Sequence, residues 1–578
     1  MGNTKSTNDT PAAVPVITAG GAVLARLKAL GVDYIFANSG TDFPPVIEGL
    51  AEGMAKEMSL PRAIVIPHEN AAMGMAHGYY LASGKAQAVM AHTNVGLANC
   101  AIGAINAATE QVPVILFSGR TPVTEQGRLG SRTVPIGWGQ EMRDQAALIR
   151  ESVKWDYELR FPEQAVDIID RAHAIACSTP KGPVYLSLPR EVLCEPCPAG
   201  DLDAPPRMSP AIASPQPAAL DEAARLLAAA ERPLIIAQRG AGSARGFAAL
   251  ADLALAWGIP VSQYWAIQLA IATEHPMSVG IDPGPWLKDA DVVVVLDSIA
   301  PWSPDVHKLA EGCKVVQIGQ DPLYCRFPVR NFRADVALVG ETADIIAELA
   351  SRLQPSLVQT ASLREARRAR VSAAHAARRA AMRAQAERGE GDPMTKEWVS
   401  LCLSRAIAGR DATVLSELGC PLEPLSLDTP TSWYQEPHSG GLGWSFPSAL
   451  GMQLASPERL VVATMGDGSY MFSNPVACHQ IAEALNLPVL IMILNNAEWG
   501  AVRKSVLDVY PHGFAAKTNK MPLISLEPSP DFCKVAEASR AFAQQVTKGK
   551  DLPEALRRAI EHVGQRRGAA LLDVRVAP

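Results

Sequence analysis

At 578 residues, with a net charge of −6 and 19 % charged side chains, the chain is too long for one domain and has no basic excess for nucleic acid. Hydrophobic residues make up 48 %, enough for a large core, yet no uninterrupted apolar run reaches the ~18 residues of a membrane helix. Ten cysteines in so long a chain do not make a disulfide scaffold. Residues 1–13 hold no apolar leader, and the expectation is a cytoplasmic protein. Met1-Gly2-Asn3-Thr4-Lys5-Ser6 fits the loose myristoylation pattern and is read as a chance match. Cys194-Glu195-Pro196-Cys197 has no second pair and no histidine pair to make a zinc site.

In chain order, apolar runs at 34–37, 63–66, 88–91 and 114–117 read as strands, with Gly- and Ala-rich helices between them. Asn38-Ser39-Gly40-Thr41 follows the first. Glu69 follows the second, ahead of a small-residue helix from Ala71 to Tyr80 whose N-terminus favours a negative charge. His92 ends the third and opens His92-Thr93-Asn94-Val95-Gly96-Leu97-Ala98-Asn99. A proline-dense connector, 195–217, leads to a second segment with strands at 234–237, 291–296 and 314–318. After its first strand comes Arg239-Gly240-Ala241-Gly242-Ser243, a glycine turn short of a full GxGxxG. A second connector, 354–393, holds an Ala/Arg-rich helix over 363–386. With few large apolar residues, that helix is expected on the surface. The last segment has strands at 460–464, 489–494 and 570–574. Strands apolar throughout indicate sheets covered on both faces. The fold class is therefore α/β, with three doubly wound α/β domains at 1–194, 218–353 and 394–578.

The densest chemistry lies in Met465-Gly466-Asp467-Gly468-Ser469, followed by a helix expected from Tyr470 to Leu487, a strand, and Asn495-Asn496. A polar group then stands at the C-terminal end of each of two strands, where parallel sheets bind ligands. A carboxylate and an amide carbonyl are hard oxygen ligands that suit Mg²⁺, an ion that completes its shell with phosphate oxygens. The amides of Gly468 and Ser469 are placed to meet a phosphate, since glycine permits close approach.

GDGS with this spacer and NN pair resembles the metal and diphosphate motif of thiamine-diphosphate enzymes, the superfamily of pyruvate decarboxylase, acetolactate synthase and benzoylformate decarboxylase. The resemblance implies that Asp467 and Asn496 bind Mg²⁺ through side chains and Glu498 through its main-chain carbonyl. Glu69 matches the family's activating glutamate, which hydrogen-bonds the cofactor's pyrimidine. In Ser439-Gly440-Gly441-Leu442-Gly443, the Gly440 carbonyl meets the pyrimidine amine and Leu442 is the apolar wedge beneath the cofactor. His92 and its segment resemble the HSAAGTGN stretch of benzoylformate decarboxylase, whose histidine contacts the substrate carboxylate and relays protons. Thr41 falls where that relative has a serine hydroxyl. Val502 and Ser505 stand where it has larger apolar groups, which implies a wider or more polar pocket. Its second active-site histidine has no counterpart at Ala300-Pro301-Trp302-Ser303-Pro304.

The family's domains are pyrimidine-binding, central Rossmann-like and diphosphate-binding. The function implied is a thiamine-diphosphate- and Mg-dependent lyase that decarboxylates a 2-oxo acid, with carboligation of the resulting enamine open to it. The alternative is an acetolactate-synthase-like carboligase or acyltransferase with structural FAD at the Arg239 turn, which the sequence leaves undecided. A catalytically silent relative would not need Glu69 beside Asp467 and Asn496. The partners expected are 2-oxo acid or aldehyde substrates and further copies of the chain, as a homodimer or homotetramer that shares each site between two subunits.

Overall fold

Runs such as Val292–Leu296 and Leu490–Asn495 are buried at every position, so both faces of their strands must be covered. The computed structural model describes residues 16–198 and 202–578, and the myristoylation-like residues 1–6 lie outside them. In the N-terminal part, β1 (Val16–Thr18) precedes β2 (Tyr34–Ala37), β3 (Arg62–Val65), β4 (Gln87–Ala91), β5 (Val114–Arg120), β6 (Asp156–Glu158) and β7 (Val184–Pro189). The last six form a parallel sheet in the order β3-β2-β4-β5-β7-β6, while β8 (Pro196–Pro198) returns to pair antiparallel with β1.

The central sheet joins β9 (Pro233–Ala237), β10 (Val261–Ser262), β11 (Val292–Leu296), β12 (Lys314–Gly319) and β13 (Val336–Val339) in the order β10-β9-β11-β12-β13. The C-terminal sheet joins β14 (Ala412–Glu417), β15 (Trp433–Gln435), β16 (Leu460–Gly466), β17 (Leu490–Asn495), β18 (Phe542–Val546) and β19 (Ala570–Arg575) in the order β15-β14-β16-β17-β19-β18. The first and last sheets are therefore wired identically.

That equivalence extends to packing. The helix after the second strand is Glu69–Ser83 in the N-terminal unit and Ser445–Ala455 in the C-terminal unit, and the two pack on each other. Small residues bring their backbones together. A Cβ on Gly78 would collide with the Ser448 carbonyl, one on Gly451 with the Met75 carbonyl, and one on Gly74 would lie 2.6 Å from Pro447. Ser448 Oγ donates to the Gly74 carbonyl across the crossing (3.1 Å).

The helix over 361–387 lies on the surface as expected, with most of its residues exposed, and it docks through a stripe of Arg367, Val371, His375 and Arg379. Its cations donate to backbone carbonyls, Arg364 to Ala256 (2.5 Å), Arg367 to Ala230 (3.2 Å) and Arg379 to Leu425 (3.3 Å). Guanidinium groups thus do the work that apolar side chains do elsewhere, because carbonyls at helix and loop ends need donors. The helix expected over 470–487 is two, Asp467–Phe472 and Pro475–Ala484. The break is at Asn474, which takes φ +55 before a proline that cannot continue the first helix.

Candidate active site

Polar residues gather at the C-terminal ends of both flanking sheets. On the N-terminal rim, Glu69 begins its helix just after β3 and is 6 % exposed. Asn38 Nδ2, after β2, donates to Glu69 Oε1, and Asn99 Nδ2 donates to Oε2, both at 2.9 Å. Gly96 leaves room for the carboxylate, since its Cβ would lie 2.8 Å from Oε1. Each oxygen keeps a lone pair for a further donor.

His92 follows β4, and its Nδ1 lies 2.5 Å from Asp42 Oδ1, while Nε2 is 3.3 Å from Gln140 Nε2. Asp42 Oδ2 accepts from the Thr93 amide (3.3 Å). The hydrogen bond that the imidazole donates to Asp42 raises its pKa above the ordinary value against the opposing effect of burial, with the Asp42 and Glu69 charges adding to it. Thr41, the expected hydroxyl donor, is exposed, and its carbonyl accepts from Arg190 Nη1 (2.9 Å). The residue that grips His92 is its neighbour Asp42, which the sequence reading missed.

On the C-terminal rim, Asp467 ends the β16 connection and is 2 % exposed. Its Oδ1 accepts from the Gly468 amide (3.0 Å), whereas buried Oδ2 has no hydrogen-bond partner. Burial raises its pKa, opposed by the Gly468 and Ala497 amides. Gly468 is required for a reason the sequence did not suggest: a Cβ there would collide with the Trp499 ring. Ser469 is buried next to it. Asn496 Oδ1 accepts from the Glu498 amide (3.3 Å). The Glu498 carboxylate is held by Arg503 at 2.7 and 2.9 Å, and its carbonyl accepts from Gly500 (2.9 Å) with one lone pair to spare. Asn495 is structural, bonded to Asp573, Ala497 and Arg575.

The glycine loop has a foundation the sequence did not reveal. Buried Glu417, at the end of β14, accepts from the amides of Gly443 (2.6 Å), Trp444 (2.8 Å) and Ser445 (2.7 Å) and so caps the Ser445–Ala455 helix. Gly440 takes φ +68 and is exposed, while Leu442 is half-buried. Close by, burial and the charge of Glu417 push the Glu436 carboxyl up to about 8.

Among the described residues, no hydrogen bond or ion pair joins Glu69 or His92 to Asp467, Asn496 or Leu442 within one chain. Val502 and Ser505 lie on Gly500–Val509, a helix with no buried residue, so this chain alone does not enclose them in a pocket. Arg239 is buried at the central sheet's rim, where it donates to the Thr109 carbonyl (3.0 Å) and pairs with Asp297 (2.5 Å).

Three α/β sheets with acids and amides on the rims of the outer two define a protein of the thiamine-diphosphate carbon–carbon lyase and carboligase class. Family models agree. The N-terminal thiamine pyrophosphate enzyme domain matches residues 17–148, the central domain 220–349 and the C-terminal domain 420–574, and the chain belongs to this family. It is 28 % identical to a probable 2-ketoarginine decarboxylase of Pseudomonas aeruginosa, over 97 % of this chain and 94 % of that one. It is 26 % identical to the benzoylformate decarboxylase of the same organism, over 92 % and 95 %. In fold it is similar to the thiamine diphosphate-dependent 4-hydroxybenzoylformate decarboxylase of Rhodococcus jostii RHA1, with a TM-score of 0.76 and 22 % identity over 97 % of this chain and 99 % of that one.

Proposed function

We propose that the chain is a Mg²⁺-dependent decarboxylase of a 2-oxo acid that uses thiamine diphosphate and works as at least a dimer. The observation that carries this reading is Asp467 Oδ2, a buried carboxylate oxygen without a hydrogen-bond partner, at the end of a strand paired with the one that leads to Asn496. A buried anion is stable only when something pairs with it. No group of three His, Cys, Asp or Glu side chains able to hold a metal occurs among the described residues, which argues against an all-protein cage. Asp467 Oδ2, Asn496 Oδ1 and the Glu498 carbonyl instead suit an ion that keeps phosphate oxygens in its shell.

Thiamine diphosphate, when bound, supplies the electron sink that a 2-oxo acid needs in order to lose CO₂. Glu69, oriented by Asn38 and Asn99, holds a proton against the pyrimidine. The Gly440 carbonyl and Leu442 orient the ring system. His92 receives the substrate carboxylate and returns a proton to the carbon that lost CO₂. The glycines of the Arg239 turn answer to packing: at Gly242, with φ +80, a Cβ would lie 3.0 Å from the Ala343 amide.

Exposed apolar residues support a shared site. Phe514 is 89 % and Leu523 95 % exposed near the Val502 helix, and Leu129, Ile136 and Trp138 are exposed in the loop that carries Gln140. Ten free cysteines fit a reducing compartment such as the cytoplasm, and no helix of the described residues is long and apolar enough to cross a membrane. The test is CO₂ release across a panel of 2-oxo acids, with and without thiamine diphosphate and Mg²⁺, with aldehyde and carboligation products identified. Release that needs both additions supports the reading. Failure to bind thiamine diphosphate in calorimetry would overturn it.

A further inference from the structure

The environment of Asp42 is more elaborate than a rim contact needs. It is 4 % exposed, and it fits only because Gly119, at the end of β5, has no side chain: a Cβ there would overlap Asp42 Oδ2. Gly40 likewise makes room for the imidazole, since its Cβ would run into the His92 ring. Three strand ends, those of β2, β4 and β5, thus shape one slot for a carboxylate and a ring. Within it, Oδ1 takes His92 Nδ1 at 2.5 Å and Oδ2 takes the Thr93 amide at 3.3 Å.

We propose that Asp42 acts on the reaction through His92, holding the ring by Nδ1–H in one tautomer and one orientation so that Nε2 alone serves the crevice. The proposal rests on the reading of His92 as the proton carrier. A histidine's free nitrogen is defined by the bond its other nitrogen makes. With Nδ1–H given to a carboxylate, neutral His92 presents Nε2 as an acceptor, and Gln140 Nε2 is its partner at 3.3 Å. When Nε2 carries a proton, the same amide can turn its oxygen to accept it. Gln140 therefore serves both protonation states of the ring, and Asp42 keeps the other edge fixed throughout.

The proton balance is simple. The substrate's C–C bond breaks, CO₂ leaves, Nε2–H supplies the proton that takes its place, and solvent reprotonates the imidazole. The charged groups facing His92 are Asp42 from the β2 loop and Glu69 from the helix after β3. Beyond Gln140 lies Glu141, itself paired with Arg120 at 2.5 Å and with Arg132. The two acids near the ring favour imidazolium. Its charge is therefore lost at higher pH than for an ordinary histidine, and removing the Asp42 charge must move that loss to lower pH.

Asp42→Asn keeps the slot filled and an acceptor on Nδ1–H but removes the charge, while Asp42→Ala removes both. The two variants and His92→Gln, each as full-length enzyme loaded with thiamine diphosphate and Mg²⁺, should be compared in kcat, KM, pH–rate profile and melting temperature. The His92 signal should be followed by pH titration of histidine-labelled protein, assigned by its loss in His92→Gln. The expected result is a lower His92 midpoint in Asp42→Asn and a high-pH limb displaced to lower pH, with melting temperature nearly unchanged. In Asp42→Ala, kcat should fall further, towards the His92→Gln level of ~10²–10⁴-fold below wild type. Normal turnover in His92→Gln would overturn both the proton-carrier reading and the route through it. A large loss in His92→Gln with an unmoved His92 midpoint and pH profile in Asp42→Asn would overturn the role of Asp42 alone.

Discussion

The two outer sheets share one wiring, yet their rims are finished in opposite ways. On the N-terminal rim both oxygens of Glu69 and both ring nitrogens of His92 already have protein partners. On the C-terminal rim Asp467 is buried with one oxygen unpartnered. His92 and Asp467 follow the third strand of their respective sheets, so the same position carries an imidazole with both nitrogens partnered in one and a buried carboxylate with an unpartnered oxygen in the other. Wiring decides where a rim lies, and side chains decide its chemistry, which on the proposed function is proton transfer on one rim and cation binding on the other.

The comparison is broken first at its extremes. Glu69→Gln should lower turnover by at least ~10²-fold, the scale of a positioned acid or base, while thiamine diphosphate still binds in calorimetry. Asp467→Ala should do the reverse, weakening Mg²⁺-supported cofactor binding before any effect on chemistry is read. If both variants lose cofactor equally, the division of labour between the rims is wrong.

Two stability tests probe what holds the rims in place. Gly78→Ala forces a methyl against the Ser448 carbonyl at the helix crossing, and overpacking of this kind costs ~1–3 kcal/mol in denaturant unfolding. Arg379→Met should cost a similar ~1–3 kcal/mol, because the Leu425 carbonyl loses its guanidinium donor. An unchanged midpoint for either variant would show that the contact does not support the structure.

The smallest effect concerns Glu436. Its folded pKa of about 8 is above the unfolded carboxyl value, so the native state holds the extra proton between the two. Stability should fall as pH rises through that window. Glu436→Gln should flatten this slope, with the gain seen in melting temperature near pH 8 and little change at pH 5. A slope identical to wild type would place the carboxyl's titration elsewhere.

How much of this was legible depended on whether a residue's role is local. Glu69, His92, Asp467 and Asn496 stand at the ends of apolar strands, so their place on a rim follows from the pattern around them. The small-residue helix after Glu69 was legible too, but its close crossing with the Ser445–Ala455 helix was not, because the partner lies far along the chain. Asp42 and Asn99 carry no such mark, because each is defined by a partner from another strand end, and Glu417 ends a strand but has its partners on a distant loop. The docking stripe of the helix over 361–387 is hidden for a different reason: arginines that donate to carbonyls look, in sequence, like arginines that face water. Ser473-Asn474-Pro475 carries the signal for the helix break, since a proline there cannot continue the helix before it.

The central claim is that each site joins the N-terminal rim of one chain to the C-terminal rim of another, and mixing two inactive variants tests it. Glu69→Gln and Asp467→Ala chains, co-expressed with different tags, should form mixed dimers in which one site has both residues intact and the other has neither. Random pairing then predicts recovery of about a quarter of wild-type turnover, concentrated in the doubly tagged fraction. Doubly tagged dimers as inactive as either parent would contradict the claim and place both residues of each site in a single chain.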